Sequence, residues 1–227
     1  MQNRSRCGFG EAASRQKEGK DGMIISASRR TDIPACYGQW MMARLRAGEV
    51  LVPNPYNASR ISRVALSPGN VDCIVFWTKN AAPMLPLLDE LDALGYKYYF
   101  EYTVTGYGSA LEPGLPEKER TVDTFLRLSE RLGPEGVDWR FDPVLLTSSI
   151  TPAWQLERFG ALCRALHGAT RRCVFSFADP YPGIRPSIAP LEETQMRLLA
   201  KGFADIAGEY GLPLYTCAEA VELSEYG

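Results

Sequence analysis

The chain has 227 residues, of which 45% are hydrophobic and 23% charged, and its formal net charge is −2. That length suits one sizeable core, since α/β barrels of roughly 200–250 residues are routinely single domains, and the balance excludes a disordered chain. The near-neutral charge gives no general electrostatic grip on nucleic acid, and no apolar run approaches the roughly 20 residues that span a bilayer. The six cysteines, Cys7, Cys36, Cys73, Cys163, Cys173 and Cys217, include no C-x-x-C pair. They read as reduced thiols in a cytoplasmic protein rather than a disulfide framework.

Residues 1–22 carry five basic side chains and no apolar stretch, which predicts a disordered extension or a start codon that belongs at Met23 rather than Met1. The domain proper is then 23–227. Residues 23–28 form a β-prone run, and Tyr37, Trp40, Met41 and Leu45 follow at helical spacing up to Gly48. Leu51-Val52 offers a short extra strand. The run VDCIVFWT, 71–78, is apolar almost throughout, as in a strand covered on both faces. Met84, Leu87, Leu88, Leu91 and Leu94 then mark one helix face, with Asn80 as N-cap, Pro83 in the first turn and Gly95 as the stop.

Strand 97–105 comes next, then a helix near 117–132 ending before Gly133, strand 137–142, and a helix opened by Thr151-Pro152 and closed by Gly168. Strand 172–178, a long helix near 190–210 and strand 213–217 complete the chain. Six main strands alternating with helices are the signature of a parallel sheet with right-handed crossovers. Glu101, Thr103 and Thr105 share one face of their strand, and Asp138, Arg140 and Asp142 share one face of theirs. An open sheet would bury those charges under apolar helices, which is costly. A partial TIM-like (β/α)6 barrel of parallel strands can direct them into a polar lumen and is the expected fold.

Five polar clusters fall where strands end: Ser28-Arg29-Arg30-Thr31-Asp32, Thr78-Lys79-Asn80, Glu101 to Thr105, Arg140 to Asp142, and Asp179. That rim is where barrels assemble active sites, and parallel strands should bring Asp32, Lys79, Glu101, Thr105, Arg140 and Asp142 to one mouth. Singly, Asp32 and Asn80 also suit helix caps. Other signals fail. With His167 as the sole histidine, at a helix end, a zinc site or a Ser-His-Asp triad has poor support. GYGSAL, 106–111, lacks the third glycine of a dinucleotide loop.

The motifs SASRRTDIPA (26–35), VDCIVFWTKN (71–80), EPGLPEKER (112–120), WRFDPVLL (139–146) and YTCAE (215–219) together resemble a bacterial family known by the domain-of-unknown-function label DUF1848. That family in turn resembles radical S-adenosylmethionine (SAM) barrels of the spore photoproduct lyase type. The resemblance rests on Thr78-Lys79, Glu112-Pro113 through Glu119-Arg120, and Asp142-Pro143. It implies a [4Fe-4S] cluster on a C-x-x-x-C-x-x-C motif, with SAM on its open iron. No such motif occurs in this chain. The expectation is therefore a barrel that lacks a C-terminal cysteine-rich segment, with no metal ligands of its own and no cofactor bound by this chain alone.

The leading reading is a radical SAM-like enzyme of unknown substrate. Glu101 and Asp142 are its candidate catalytic residues. Arg29, Arg30, Asp32, Thr78, Lys79, Asn80, Thr103, Thr105, Arg140, Asp179, Cys217 and Glu219 are candidates for holding a cofactor or small-molecule substrate, with Lys79 and Arg140 suited to carboxylate or phosphate. A nucleic-acid substrate is suggested by the lyase analogy alone. The rivals are a cluster-free barrel enzyme using rim carboxylates on a phosphorylated or sugar-like substrate, and a non-catalytic binding module. The oligomeric state is open.

Overall fold

The computed structural model describes residues 22–28, 31–178, 190–217 and 221–226, and the expectation for residues 1–22 falls almost wholly outside them. The chain forms two compact units, Met1–Phe100 and Glu101–Gly227. A six-stranded parallel sheet flanked by helices has the order β1-β4-β5-β6-β7-β8, and a separate two-stranded sheet pairs β2 with β3. The α/β class expected from the alternating pattern is the class observed. Among the described residues no helix is long and apolar enough to cross a membrane.

In the first unit β1 (Met23–Ala27) runs parallel to β4 (Val71–Thr78), with Ile25 opposite Ile74 and Ala27 opposite Phe76. β4 is the apolar run of the sequence, and Ile74 and Phe76 are fully buried in it. A short α1 (Ile33–Cys36) leads into α2 (Gly38–Ala47), which stops at Gly48 in the left-handed region, φ 72°. Beyond it the expected extra strand is a whole hairpin, β2 (Glu49–Asn54) and β3 (Asn57–Ala65). Its second strand, NASRISRVA, has too little apolar alternation to announce itself.

The helix expected from Asn80 onward is corrected by the structure. A 3-10 turn spans Leu85–Leu87, and α3 covers only Leu88–Ala93. Pro86 is the reason: it has no N–H and its ring crowds the preceding turn, so a continuous α-helix cannot pass through it. Asn80 Oδ1 accepts from Ala82 N at 3.2 Å and caps a turn instead. Met84, Leu88 and Leu91 are nonetheless fully buried, because the apolar face survives the change of helix type. β5 (Tyr98–Thr103) starts in this unit, where Phe100 packs on Phe76 at 5.1 Å between ring centres.

The second unit holds the end of β5, then α4 (Lys118–Leu132), β6 (Val137–Val144), α5 (Pro152–Ala165), β7 (Cys173–Phe177), α6 (Glu193–Glu209) and β8 (Leu214–Thr216). β7 runs parallel to both β6 and β8. Strand alternation splits β6 into two faces. Trp139 and Phe141 pack against Phe159 of α5, each 5.2 Å away, and Phe159 meets Phe203 of α6 at 4.6 Å. The other face, Asp138, Arg140 and Asp142, builds the candidate site. Thr151 caps α5 by accepting from Trp154 N at 3.2 Å, as its Thr-Pro start predicts.

Candidate functional site

The first unit contributes a clasp at the carboxyl ends of β1 and β4. Asp32 Oδ1 accepts from Ala35 N at 2.9 Å, the N-cap of α1. The same carboxylate accepts the Thr78 hydroxyl at 2.8 and 2.9 Å and the Lys79 N–H at 2.8 Å. Thr78 Oγ1 in turn accepts from Asn80 N at 2.9 Å, and Ser28, at φ 87°, accepts from Ile33 N at 2.9 Å. Asp32, Thr78, Lys79 and Asn80 are thus brought together. The Asp32 carboxylate is occupied by backbone and hydroxyl donors, so its geometry fixes the loops that carry Lys79 and Asn80.

The second unit carries a buried line of alternating charge. Asp138, with no exposed surface, accepts from Arg171 at 3.1 Å and Arg172 at 2.6 Å. Arg172 lies 3.7 Å from Glu101, Glu101 lies 3.4 Å from Arg140, and Arg140 holds Asp142 at 2.8 and 3.1 Å. Ser176 donates to the other Asp142 oxygen, and Arg140 also donates to the Cys217 sulfur. Glu101 and Arg140 are both 5% exposed, whereas the Asp142 side chain keeps 27% of its surface. The line therefore runs from a sealed interior to one accessible carboxylate. Thr103 lies half-buried at the end of β5, two residues beyond Glu101 and on its face.

Burial raises the Glu101 carboxyl above its ordinary range, and the charge of Asp138 adds to this, against Arg140 and Arg172. Burial works against the Arg140 charge, but the hydrogen bond and charge of Asp142, with Cys217 and Glu101, hold its pKa above the ordinary value. Arg140 is therefore a fixed cation committed to two carboxylates. Asp142 presents the oxygen lone pairs that remain.

The segment after Asp142 is held by a strap from the loop after β5. Tyr107 donates to Pro143 O at 2.8 Å and accepts from Leu145 N at 3.1 Å and Gln155 Nε2 at 2.9 Å. Its ring stacks on Trp154 at 5.8 Å. Burial pushes its hydroxyl up to about 12. Thr105 donates to Glu112 at 2.8 Å, and Lys118 lies 3.5 Å from the same oxygen. Gly106 is required here, because a Cβ would fall 2.6 Å from Arg158 Cβ.

Asp138, Arg172, Ser176, Tyr107 and Gln155 escape the sequence-level site. Arg172 and Ser176 share the alternating face of β7 that Asp138, Arg140 and Asp142 share on β6, and that pairing was the available signal. Nothing in sequence spacing points to Tyr107 or Gln155. Arg29, Arg30, Asp179 and Glu219 lie outside the described residues. His167 rests against Tyr210 at 5.7 Å, beside a cavity at the amino-terminal ends of β7 and β8, away from Asp142.

The described thiols do not fit a three-thiolate iron–sulfur site. Cys73, Cys163 and Cys173 are buried, burial holding Cys163 up to about 12 and Cys173 well above its ordinary value, while Cys36 and Cys217 are exposed. Among the described residues no group of three or more His, Cys, Asp or Glu is placed to hold a metal ion.

A family model described as Domain of unknown function (DUF1848) matches residues 24–227. No curated protein matches the chain. Among solved structures, spore photoproduct lyase complexed with dinucleoside spore photoproduct aligns with a TM-score of 0.52 at 14% identity, over 88% of this chain and 62% of its own. That likeness is one of fold. A protein assigned as an alpha-L-fucosidase from Bacteroides thetaiotaomicron aligns over 96% of this chain and 81% of its own, at 10% identity and a TM-score of 0.37, too low to establish a shared fold.

Proposed function

This chain belongs to the DUF1848 family, and we propose that it is a radical SAM-like enzyme whose second unit binds SAM or a small polar substrate at Asp142. The observation that carries the reading is the buried charge line that ends in one accessible carboxylate, on a fold like that of spore photoproduct lyase. Arg140 and Ser176 lock Asp142 in one orientation. It then accepts hydrogen bonds from an ammonium group or from ribose hydroxyls, stronger than neutral pairs because the acceptor is charged. Arg140, spent on Glu101 and Asp142, orients the acceptor rather than gripping a phosphate. On this reading the thiolates for a cluster come from outside the described residues.

Calorimetric titration of the purified chain with SAM tests the proposal. Wild type should bind, and Asp142→Asn should weaken binding about tenfold, the loss of one charged hydrogen bond. No binding, or binding that ignores Asp142→Asn, would sink it. About four irons per chain, retained through gel filtration after anaerobic reconstitution, would place the cluster ligands within this chain and overturn that part.

The raised Glu101 carboxyl favours a second reading, a cluster-free enzyme with Glu101 as general acid. Its burial between two arginines argues against this. Turnover of a sugar phosphate that disappears in Glu101→Gln would establish it.

A further inference from the structure

The cavity beside His167 is left without a use by the site above. Its volume is about 360 Å³, at the small end of ligand pockets, which run from about 300 to 1,000 Å³. Helices α5 and α6 both end at it. Each is followed by a glycine in the left-handed region, Gly168 at φ 75° and Gly211 at φ 59°, and both glycines line the cavity. Leu166, Leu212 and Pro213 form an apolar wall, which the rings of His167 and Tyr210 continue.

Two further walls carry opposite charge. Arg171 lines the cavity, commits Nε to the buried Asp138 at 3.1 Å, and keeps 26% of its side chain exposed. Among the described residues its two terminal amino groups make no other hydrogen bond, which leaves a planar fork for a carboxylate. The other wall is the carboxyl end of α5. A helix leaves its last carbonyls without intrahelical partners. Here Leu166 N closes on Leu162 O and Ala169 N on Leu166 O, and among the described residues no backbone N–H from beyond the helix reaches Cys163, Arg164 or Ala165 O. Cys163 lines the cavity, and this end of a helix carries the negative pole of its dipole, where a cation is favoured.

A plain anion suits Arg171 and is disfavoured by the helix end, and a plain amine meets the reverse. A small molecule with both charges close together and an apolar body suits all three walls. We propose that this cavity binds a free apolar or aromatic α-amino acid, its carboxylate on Arg171, its ammonium at the α5 carbonyls and its side chain against Leu166, Leu212 and the Tyr210 ring. The site is separate from Asp142. It meets the charge line only at the sealed end, where Arg171 is a partner of Asp138.

Calorimetric titration of the full chain with L-phenylalanine tests this, beside hydrocinnamate, which lacks the amino group, and phenethylamine, which lacks the carboxylate. L-Phenylalanine should bind, and each truncated probe should bind about tenfold more weakly or worse, the loss of a charged hydrogen bond. Arg171→Gln should weaken L-phenylalanine by a similar factor; Asp138 keeps Arg172 at 2.6 Å in that variant. Tyr210→Ala leaves Arg171 and Asp138 in place and should weaken binding severalfold, with far-UV circular dichroism confirming that both variants fold. No binding of L-phenylalanine at millimolar concentration would overturn the proposal. So would hydrocinnamate binding as well as the amino acid, which would make the cavity a simple carboxylate site. Binding that ignores both substitutions would also overturn it, because an amino acid held at Asp142 would be indifferent to them.

Discussion

Replacing Arg140 by methionine tests whether the charge line is structural. The substitution keeps much of the side-chain volume and removes the cation between Glu101, at 3.4 Å, and Asp142, at 2.8 Å. Breaking a buried ion pair by removing one partner costs about 3–5 kcal/mol, because the other charge is left in a poor solvent. Two features place this case at the lower end. Asp142 reaches water with its exposed surface, and Glu101 keeps Arg172 at 3.7 Å. We expect a loss of about 3 kcal/mol at neutral pH in urea unfolding followed by circular dichroism, or a midpoint lower by about 6–12 °C for a chain of this size. The loss should depend on pH. Glu101 binds its proton more tightly folded than unfolded, so stability falls as pH rises from the ordinary carboxylate range through the raised folded value. Without Arg140 that value rises further. The deficit should therefore be smaller near about pH 5 than near about pH 8. A loss below about 1 kcal/mol, or one that is flat with pH, would refute the assignment.

Phe159→Ala opens a hole among Trp139, Phe141 and Phe203 and should cost about 3–5 kcal/mol with a weakened near-UV dichroism signal. Asp32→Ala removes the α1 cap and strands the buried Thr78 hydroxyl and the Lys79 N–H; about 2–3 kcal/mol should go in chemical unfolding, with Asn losing less. Tyr107→Phe leaves Leu145 N and Gln155 Nε2 without their shared acceptor and should cost about 2 kcal/mol. Tyr107 ionises at about 12 folded against an ordinary 10.0, so wild-type stability falls as pH rises across that window. The Phe variant should show a shallower decline in alkaline melts.

The sequence by itself determined the elements whose physics is local. VDCIVFWT is a buried strand because a run apolar almost throughout has little polar surface to offer water, and β4 covers Val71–Thr78 as read. Thr151-Pro152 opens α5 because a hydroxyl acceptor and a residue without an N–H both suit a helix start. Alternation placed Arg140 and Asp142 on one face for the same reason. Where two local signals compete, the reading fails: the leucine spacing after Asn80 predicts a long helix, and Pro86 breaks it. Partnership was left to the tertiary structure. Asp32 is a cap and clasp because β4 delivers Thr78 and Lys79 to it from 46 and 47 residues away. Arg172 joins Asp138 to Glu101 across 34 and 71 positions of chain because β6 and β7 lie side by side. Which carboxylate is sealed and which is open follows from burial, and burial is a property of the assembled sheet and helices, which no single segment carries.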